Sequence, residues 1–211
     1  MESLTPRIRP GEPQDAAEFA RLVMMSDPVF LPYIFAERFE TILLKLFPFR
    51  RNLFSHEHVR IIEIAGRPAG MLLGYSYRQM RSEMLRTALL FLRFAGRFLM
   101  RRGLRLLRSM PRRPRENDST RWLAEGEFYV SNLSVKPEFR RQGLGRMLLA
   151  DAVLQAAVLG CRAVALDVEA ENREAIRLYE REGFIREAKN LKVLGRFEFV
   201  RLTREIEAGR E

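Results

Sequence analysis

At 211 residues the chain has room for one ordinary domain carrying a sizeable insertion. Hydrophobic residues make up 47% of it, enough for a core, but no uncharged apolar run approaches the roughly 18 residues of a membrane-spanning helix, and Glu2, Arg7, Arg9, Glu12 and Asp15 argue against a secretory signal peptide. The formal charge of +10 resides in one stretch: residues 81–115 hold eleven arginines against Glu83 alone, and the rest of the chain balances 26 basic against 26 acidic residues.

Arg7 to Arg9, before Pro10-Gly11, reads as a short first strand. Asp15 is placed to cap a helix reaching about Ser26, with Phe19, Leu22 and Val23 facing inward. An aromatic-rich helical stretch is expected from about Tyr33 to Phe47, where Pro48 stops it. His56 and His58 lie in the polar stretch that follows; with no third ligand at metal spacing they read as loop residues, and no metal is expected. Val59 to Ile64 and Ala69 to Tyr75 form a hairpin through Ala65-Gly66-Arg67-Pro68.

From about Glu83 to Met110 the pattern is a basic amphipathic helix. At 100° per residue Arg86, Arg93, Arg97, Arg101, Arg105 and Arg108 share an arc of about 120°, with Phe91, Leu92, Ala95, Phe98, Leu99 and Leu106 on the other side. Pro111 and Pro114 end it, and a polar connection runs from Pro111 to Thr120, so the insertion covers about residues 80–118. Two readings fit: a packing helix with solvated arginines, or a surface helix resting on anionic lipid or an acidic partner. A charge stripe without interleaved aromatic platforms speaks against nucleic acid.

A strand is expected at Glu127–Val135 and another at Ala163–Glu169, joined by a helix from Gly143 to Leu159. That helix is polar only at Arg146, Asp151 and Gln155, so it should be buried against the sheet. Asn172 to Glu182 is a helix ended by Gly183, and Leu191–Val193 and Phe197–Thr203 make a last antiparallel pair. Cys161, the sole cysteine, excludes an internal disulfide, reads as a buried apolar filler and fits a reducing, cytoplasmic setting. The predicted fold class is α/β (α+β): one domain over 1–211, a mixed, mostly antiparallel sheet with helices on both faces and a basic helical insertion before the fourth strand. The unit Glu127–Glu169 is its one parallel crossover, right-handed, and a ligand would enter where its two strands splay.

The chemistry concentrates near that crossover. Arg140-Arg141-Gln142-Gly143-Leu144-Gly145 stands where a helix begins, so several backbone N–H groups can converge on one anion. Glycines at 143 and 145 remove Cβ atoms that would block close approach, and Arg140, Arg141 and Arg146 favour negative charge. Twenty-seven residues after Gly145 comes Asn172-x-x-Ala175-x-x-Leu178-Tyr179-Glu180-x-x-Gly183-Phe184.

This arrangement resembles the GNAT superfamily of acyl-CoA N-acyltransferases, and within it the ribosomal-protein N-terminal alanine acetyltransferases. The likeness covers about Glu127 to Arg186 strongly and the first 75 residues by element order alone. It implies acetyl-CoA as co-substrate, its pyrophosphate on the amides of Arg141, Gln142, Gly143, Leu144, Gly145 and Arg146, and its pantetheine arm beside Leu133, Ser134 and Val135. A bulge in that strand would aim an N–H at the thioester oxygen. Asn172 would touch the cofactor or simply cap its helix; the two roles are compatible. Tyr179 matches the family's general acid, with a core tyrosine as the plain alternative. The base falls to Asp167, where relatives carry a glutamate, or equally to Glu127. The acceptor would be a primary amine: a protein amino terminus, a lysine or a small amine. A binding module, retaining the cofactor but docking through residues 81–115 with little catalysis, is the rival reading.

Overall fold

Alternating apolar residues on the central strands dress both faces of one sheet, so two layers of helix are needed to cover it. The computed structural model describes residues 5–30, 33, 38–109, 123–188, 190–193 and 196–206, the side chains of 95–109 excepted. Eight strands, β1 (Arg7–Pro10), β2 (Val59–Ile64), β3 (Arg67–Ser76), β4 (Glu127–Val135), β5 (Ala163–Glu169), β6 (Ile185–Arg186), β7 (Leu191–Val193) and β8 (Phe197–Glu205), form a sheet in the order β1-β2-β3-β4-β5-β8-β6, with β7 also on β8. Only β4 and β5 pair in parallel. Among the described residues five helices cover it: α1 (Ala16–Ser26), α2 (Phe39–Leu46), α3 (Tyr77–Ser109), α4 (Leu144–Val158) and α5 (Arg173–Arg181).

On one face Ile62, Leu72, Phe128, Val164, Leu166 and Leu202 pack beneath α4 and α5. On the other, Ile61, Met71 and Leu73 meet α1, α2 and the ring of Phe91 from α3. Phe19 stacks on Phe47 there with ring centroids 4.3 Å apart, both rings fully buried. The polar exceptions on α4 are tied down: Asp151 takes two hydrogen bonds from Arg60 of β2, at 2.9 and 3.1 Å, and one from Gln155.

Several local expectations change. Asp15 does not cap α1; its carboxylate accepts two bonds from Arg9 and one from the Glu12 N–H. Burial opposes its charge, but those donors win and hold the carboxyl below its ordinary value. The hairpin turn is only Ala65-Gly66, both at positive φ (49° and 68°), because Arg67 and Pro68 already pair with β2. The expected helix at Tyr33–Phe47 is described as α2 alone, residues 31–32 and 34–37 lying outside the described residues. α4 is not buried all round: Leu154 and Val158 are 67% and 88% exposed. α5 ends as expected, Gly183 at φ 81° letting its N–H reach Glu180 O and the Phe184 N–H reach Tyr179 O. Cys161 is half-buried against the core, which pushes its thiol up.

α3 begins six residues earlier than expected. Ser76 and Gln79 make a capping box, Gln79 Oε1 accepting from the Ser76 N–H (2.8 Å) and Ser76 Oγ from the Gln79 N–H (3.3 Å), so strand passes into helix with no loop. His58 is no loop residue: it is buried, and its Nε2 lies 2.8 Å from Oε2 of Glu83, which clips α3 to the sheet. Phe91 turns inward, stacked on Phe39, while Leu92 stays 52% exposed. The distal arginine side chains, Met110 and the connection 111–120 lie outside the described residues.

Because Phe19 has no exposed surface and a stacked partner, Phe19→Ala should destabilise the fold by about 3–5 kcal/mol, read from urea unfolding of the two proteins.

Candidate active site

β4 and β5 pair only from Glu127↔Ala163 to Val130↔Leu166 and then part. Next to the last pair, β4 bulges: its register on β3 steps from Gly74↔Val130 to Leu73↔Asn132 and leaves Ser131 without a partner. Backbone polar groups of β4 beyond that point face a gap instead of a strand.

The chain leaves β4 through a 3-10 turn at Pro137–Phe139, and Arg141 (φ 62°) and Gly143 (φ 79°) turn it left-handed twice before α4 starts. A left-handed arginine costs about 1–3 kcal/mol, strain that belongs to a backbone shaped for a ligand. Gly143 is the N-cap and supplies no capping side chain; Met147, through Gly143 O at 3.1 Å, is the first N–H of this helix to reach a carbonyl. The amides of Leu144, Gly145 and Arg146 are thus left pointing at a groove of about 560 Å³. Leu133, Ser134 and Val135 wall it on one side, and Asn172, Ala175 and Leu178 on the other.

The predicted residues divide within this groove. Gly143 would present a Cβ to open space, so its requirement is the left-handed φ; Gly145 is needed for packing, since a Cβ there would stand 3.1 Å from Leu178. Leu144 is buried in the core, whereas Gln142 is exposed and does not line the groove. Arg140 donates from Nε to Val135 O (3.1 Å), bracing the strand end. Arg141 and Arg146 are 81% and 74% exposed and only loosely paired, with Glu174 at 3.6 Å and Glu182 at 3.5 Å, so both can swing to an anion. Asn172 caps α5, its Oδ1 accepting from the Ala175 N–H.

Tyr179 lies in the core between α5 and the sheet, 8% exposed, 6.0 Å from the Phe184 ring. Among the described residues its hydroxyl has no hydrogen-bond partner, and burial pushes it up to about 12. A buried hydroxyl without a partner costs about 1–3 kcal/mol. The groove is lined by Leu178, its neighbour on α5, and not by Tyr179 itself, while the uncapped amides at the start of α4 suit an anion there.

Glu127 and Asp167 are together on the opposite face of the sheet, bound through Arg201 of β8. Arg201 reaches Glu127 at 2.6 Å, Glu187 at 3.2 Å and Asp167 at 3.3 Å, and the Tyr129 hydroxyl donates to Asp167 at 2.9 Å. Burial raises the Asp167 carboxyl, an effect Arg201 and Tyr129 offset in part. Glu127 is further held by the Ala124 N–H at 2.7 Å and belongs to the paired part of β4. Asp167 is the first β5 residue past the parting. Sequence reasoning missed Arg201, although a lone arginine between Val200 and Leu202 on an apolar strand is a readable signal. It also missed Asn132, which bonds the Ser26 hydroxyl at the end of α1 (2.8 Å) and so ties the bulge to the helix layer; nothing local announces that contact. Among the described residues no group of three or more His, Cys, Asp or Glu side chains is arranged to hold a metal ion.

The sequence profile described as the acetyltransferase (GNAT) family matches residues 30–184. The chain is 45% identical over 58 residues to the [Ribosomal protein bS18]-alanine N-acetyltransferase of Salmonella typhimurium, a stretch that is 28% of this chain and 39% of that relative. The chain spans 20% of the length of GCN5-related N-acetyltransferase 4 of Arabidopsis thaliana and 18% of the mycothiol acetyltransferase of Propionibacterium freudenreichii. Among solved structures, an acetyltransferase superposes with a TM-score of 0.67 at 21% identity over 95% of this chain and 100% of its own. The PaiA N-acetyltransferase of Thermoplasma acidophilum, solved in complex with coenzyme A, does so at 0.54 and 12%, over 95% and 99%.

Gly143→Glu places a carboxylate where an anion would lie without meeting protein atoms. It should leave the fold cooperative, weaken coenzyme A binding by roughly tenfold or more in calorimetry, and do so less at high salt.

Proposed function

Since this chain belongs to the acetyltransferase (GNAT) family, whose members use acetyl-CoA, we propose that it is an N-acetyltransferase in which a primary amine attacks the thioester directly. One observation carries the reading: the uncapped amides of α4 open on the groove beside the parting of β4 and β5, and on α5 the groove-lining Leu178 is followed by Tyr179, whose buried hydroxyl has no partner among the described residues. In this reading the amides of Leu144, Gly145 and Arg146 hold the pyrophosphate, with Arg141 and Arg146 closing on it. Leu133, Ser134 and Val135 offer the arm a strand edge to pair with. The backbone at the Ser131 bulge donates to the carbonyl oxygen as it gains charge.

The nitrogen adds to the carbonyl carbon, the C–S bond breaks and the thiolate leaves; no enzyme nucleophile is required. Tyr179 serves the thiolate as hydrogen-bond donor and then acid. A phenol near 12 is a weaker acid than a free thiol near 8.5, but the burial that raises the phenol raises a thiolate beside it too, and matched values are what make transfer efficient. Asp167 takes a proton from the acceptor ammonium and so frees the amine lone pair that attacks. Its raised carboxyl makes it a better acceptor than an ordinary aspartate, and its place at the parting favours it over Glu127. Acid and base thus work from opposite faces of the sheet. Acceptors of this type include a peptide amino terminus, a lysine and a small amine; the bS18-alanine relative supports the first.

Tyr179→Phe should lower kcat by roughly 100-fold, with coenzyme A binding changed less than about twofold, in a thiol-release assay with an amine panel. A phenol near 12 loses its proton only above the working range, so activity of the native enzyme should show no alkaline fall from Tyr179 between about pH 8 and 10. Asp167→Asn should cost kcat most at low pH, where the amine is most fully protonated; Glu127→Gln should act mainly on stability, seen in thermal melting.

A further inference from the structure

The outer face of α3 is apolar where a helix that packs by one face has no need to be. Glu83, Thr87, Leu90, Phe91 and Phe94 form the inner face: Phe91 stacks on Phe39 and meets Phe54, and Phe94 meets Phe49 at 5.6 Å. Leu85, Leu89 and Leu92 are 72%, 57% and 52% exposed, with Met84 beside them at 51%. At 100° per residue these leucines are centred about 180° from the inner face. Exposed arginines flank them, Arg86 and Arg93 on one shoulder and Arg81 near the first turns. The helix therefore carries two apolar stripes, one used and one not.

We propose that this outer stripe docks on the surface of an anionic phospholipid bilayer, α3 lying parallel to it. Charge selects the partner: residues 81–115 hold eleven arginines against one glutamate while the remainder balances in sum, so a negative surface is drawn to the segment that contains α3. Self-association of two such stripes would set arginine shoulders against each other. The stripe is aliphatic, convex and without the tryptophan or tyrosine anchors that protein interfaces favour, whereas leucines with arginine shoulders suit the boundary between headgroups and acyl chains. Among the described residues no helix is long and apolar enough to cross the membrane, so contact stays at the surface.

Co-sedimentation with vesicles of phosphatidylcholine, with or without phosphatidylglycerol, at about 0.1 M salt tests this. Expected is binding at least about tenfold stronger to the anionic vesicles, falling as salt rises. It should fall at least about fivefold in Leu85→Glu/Leu89→Glu, with thermal melting unchanged because those side chains are exposed, and again in Arg86→Ala/Arg93→Ala, with Arg86→Ala alone as the variant that keeps the contact of Arg93 with the Phe94 ring. Absence of vesicle binding by the native chain would overturn the proposal. So would binding indifferent to lipid charge or to both sets of substitutions. If sedimentation equilibrium shows a dimer that the leucine variant abolishes while vesicles are ignored, the stripe belongs to a second copy and the lipid assignment is wrong.

Discussion

A parallel pair of strands that stays together for four residues and then separates is the constraint on which the rest of the molecule hangs. Continuous pairing of β4 with β5 would satisfy the backbone of both strands and leave no opening in the sheet. Separation leaves the edge of β4 that faces β5 without a strand partner, while its other edge stays on β3, and the bulge at Ser131 begins where the pairing with β5 ends. α4 then begins at the mouth of the opening with its first amides unmet. Features that would each be a defect in an ordinary core, namely an unpaired strand edge and an uncapped helix start, meet at one groove.

The separation also explains why the far face is built around a buried cation. Three carboxylates, those of Glu127, Asp167 and Glu187, converge there on the one guanidinium of Arg201. Burial raises the Asp167 carboxyl, and the nearly buried Arg201 offsets that only in part. Such an arrangement costs desolvation and is weak evidence for stability; its value is in fixing where each carboxylate points.

Much of this was legible in the sequence, for reasons that differ by element. Strands and helices with strong periodicity and short links, such as β2, β3, β5 and α5, leave an unambiguous pattern, and the glycine-arginine turn before α4 is local chemistry that any reader of residue types can find. What could not be read are contacts made at long range. His58 looks like a loop histidine until Glu83, 25 positions on, is brought against it. The apolar run of α4 does not by itself say which of its residues meet the sheet, and Leu154 and Val158 turn out to face away from it. The early start of α3 was a different failure: Ser76-x-x-Gln79 is a local signal, overshadowed by the strand that runs directly into it.

The two core layers touch only through the sheet, Ile61, Met71 and Leu73 serving one and Ile62 and Leu72 the other. Strand residues therefore alternate in allegiance, and drift in the aromatic layer of Phe19, Phe39 and Phe47 need not disturb the layer of α4 and α5. A lineage could re-upholster one side of this molecule many times while its other side kept the same fittings, which is the economy that an unbroken single core would forbid.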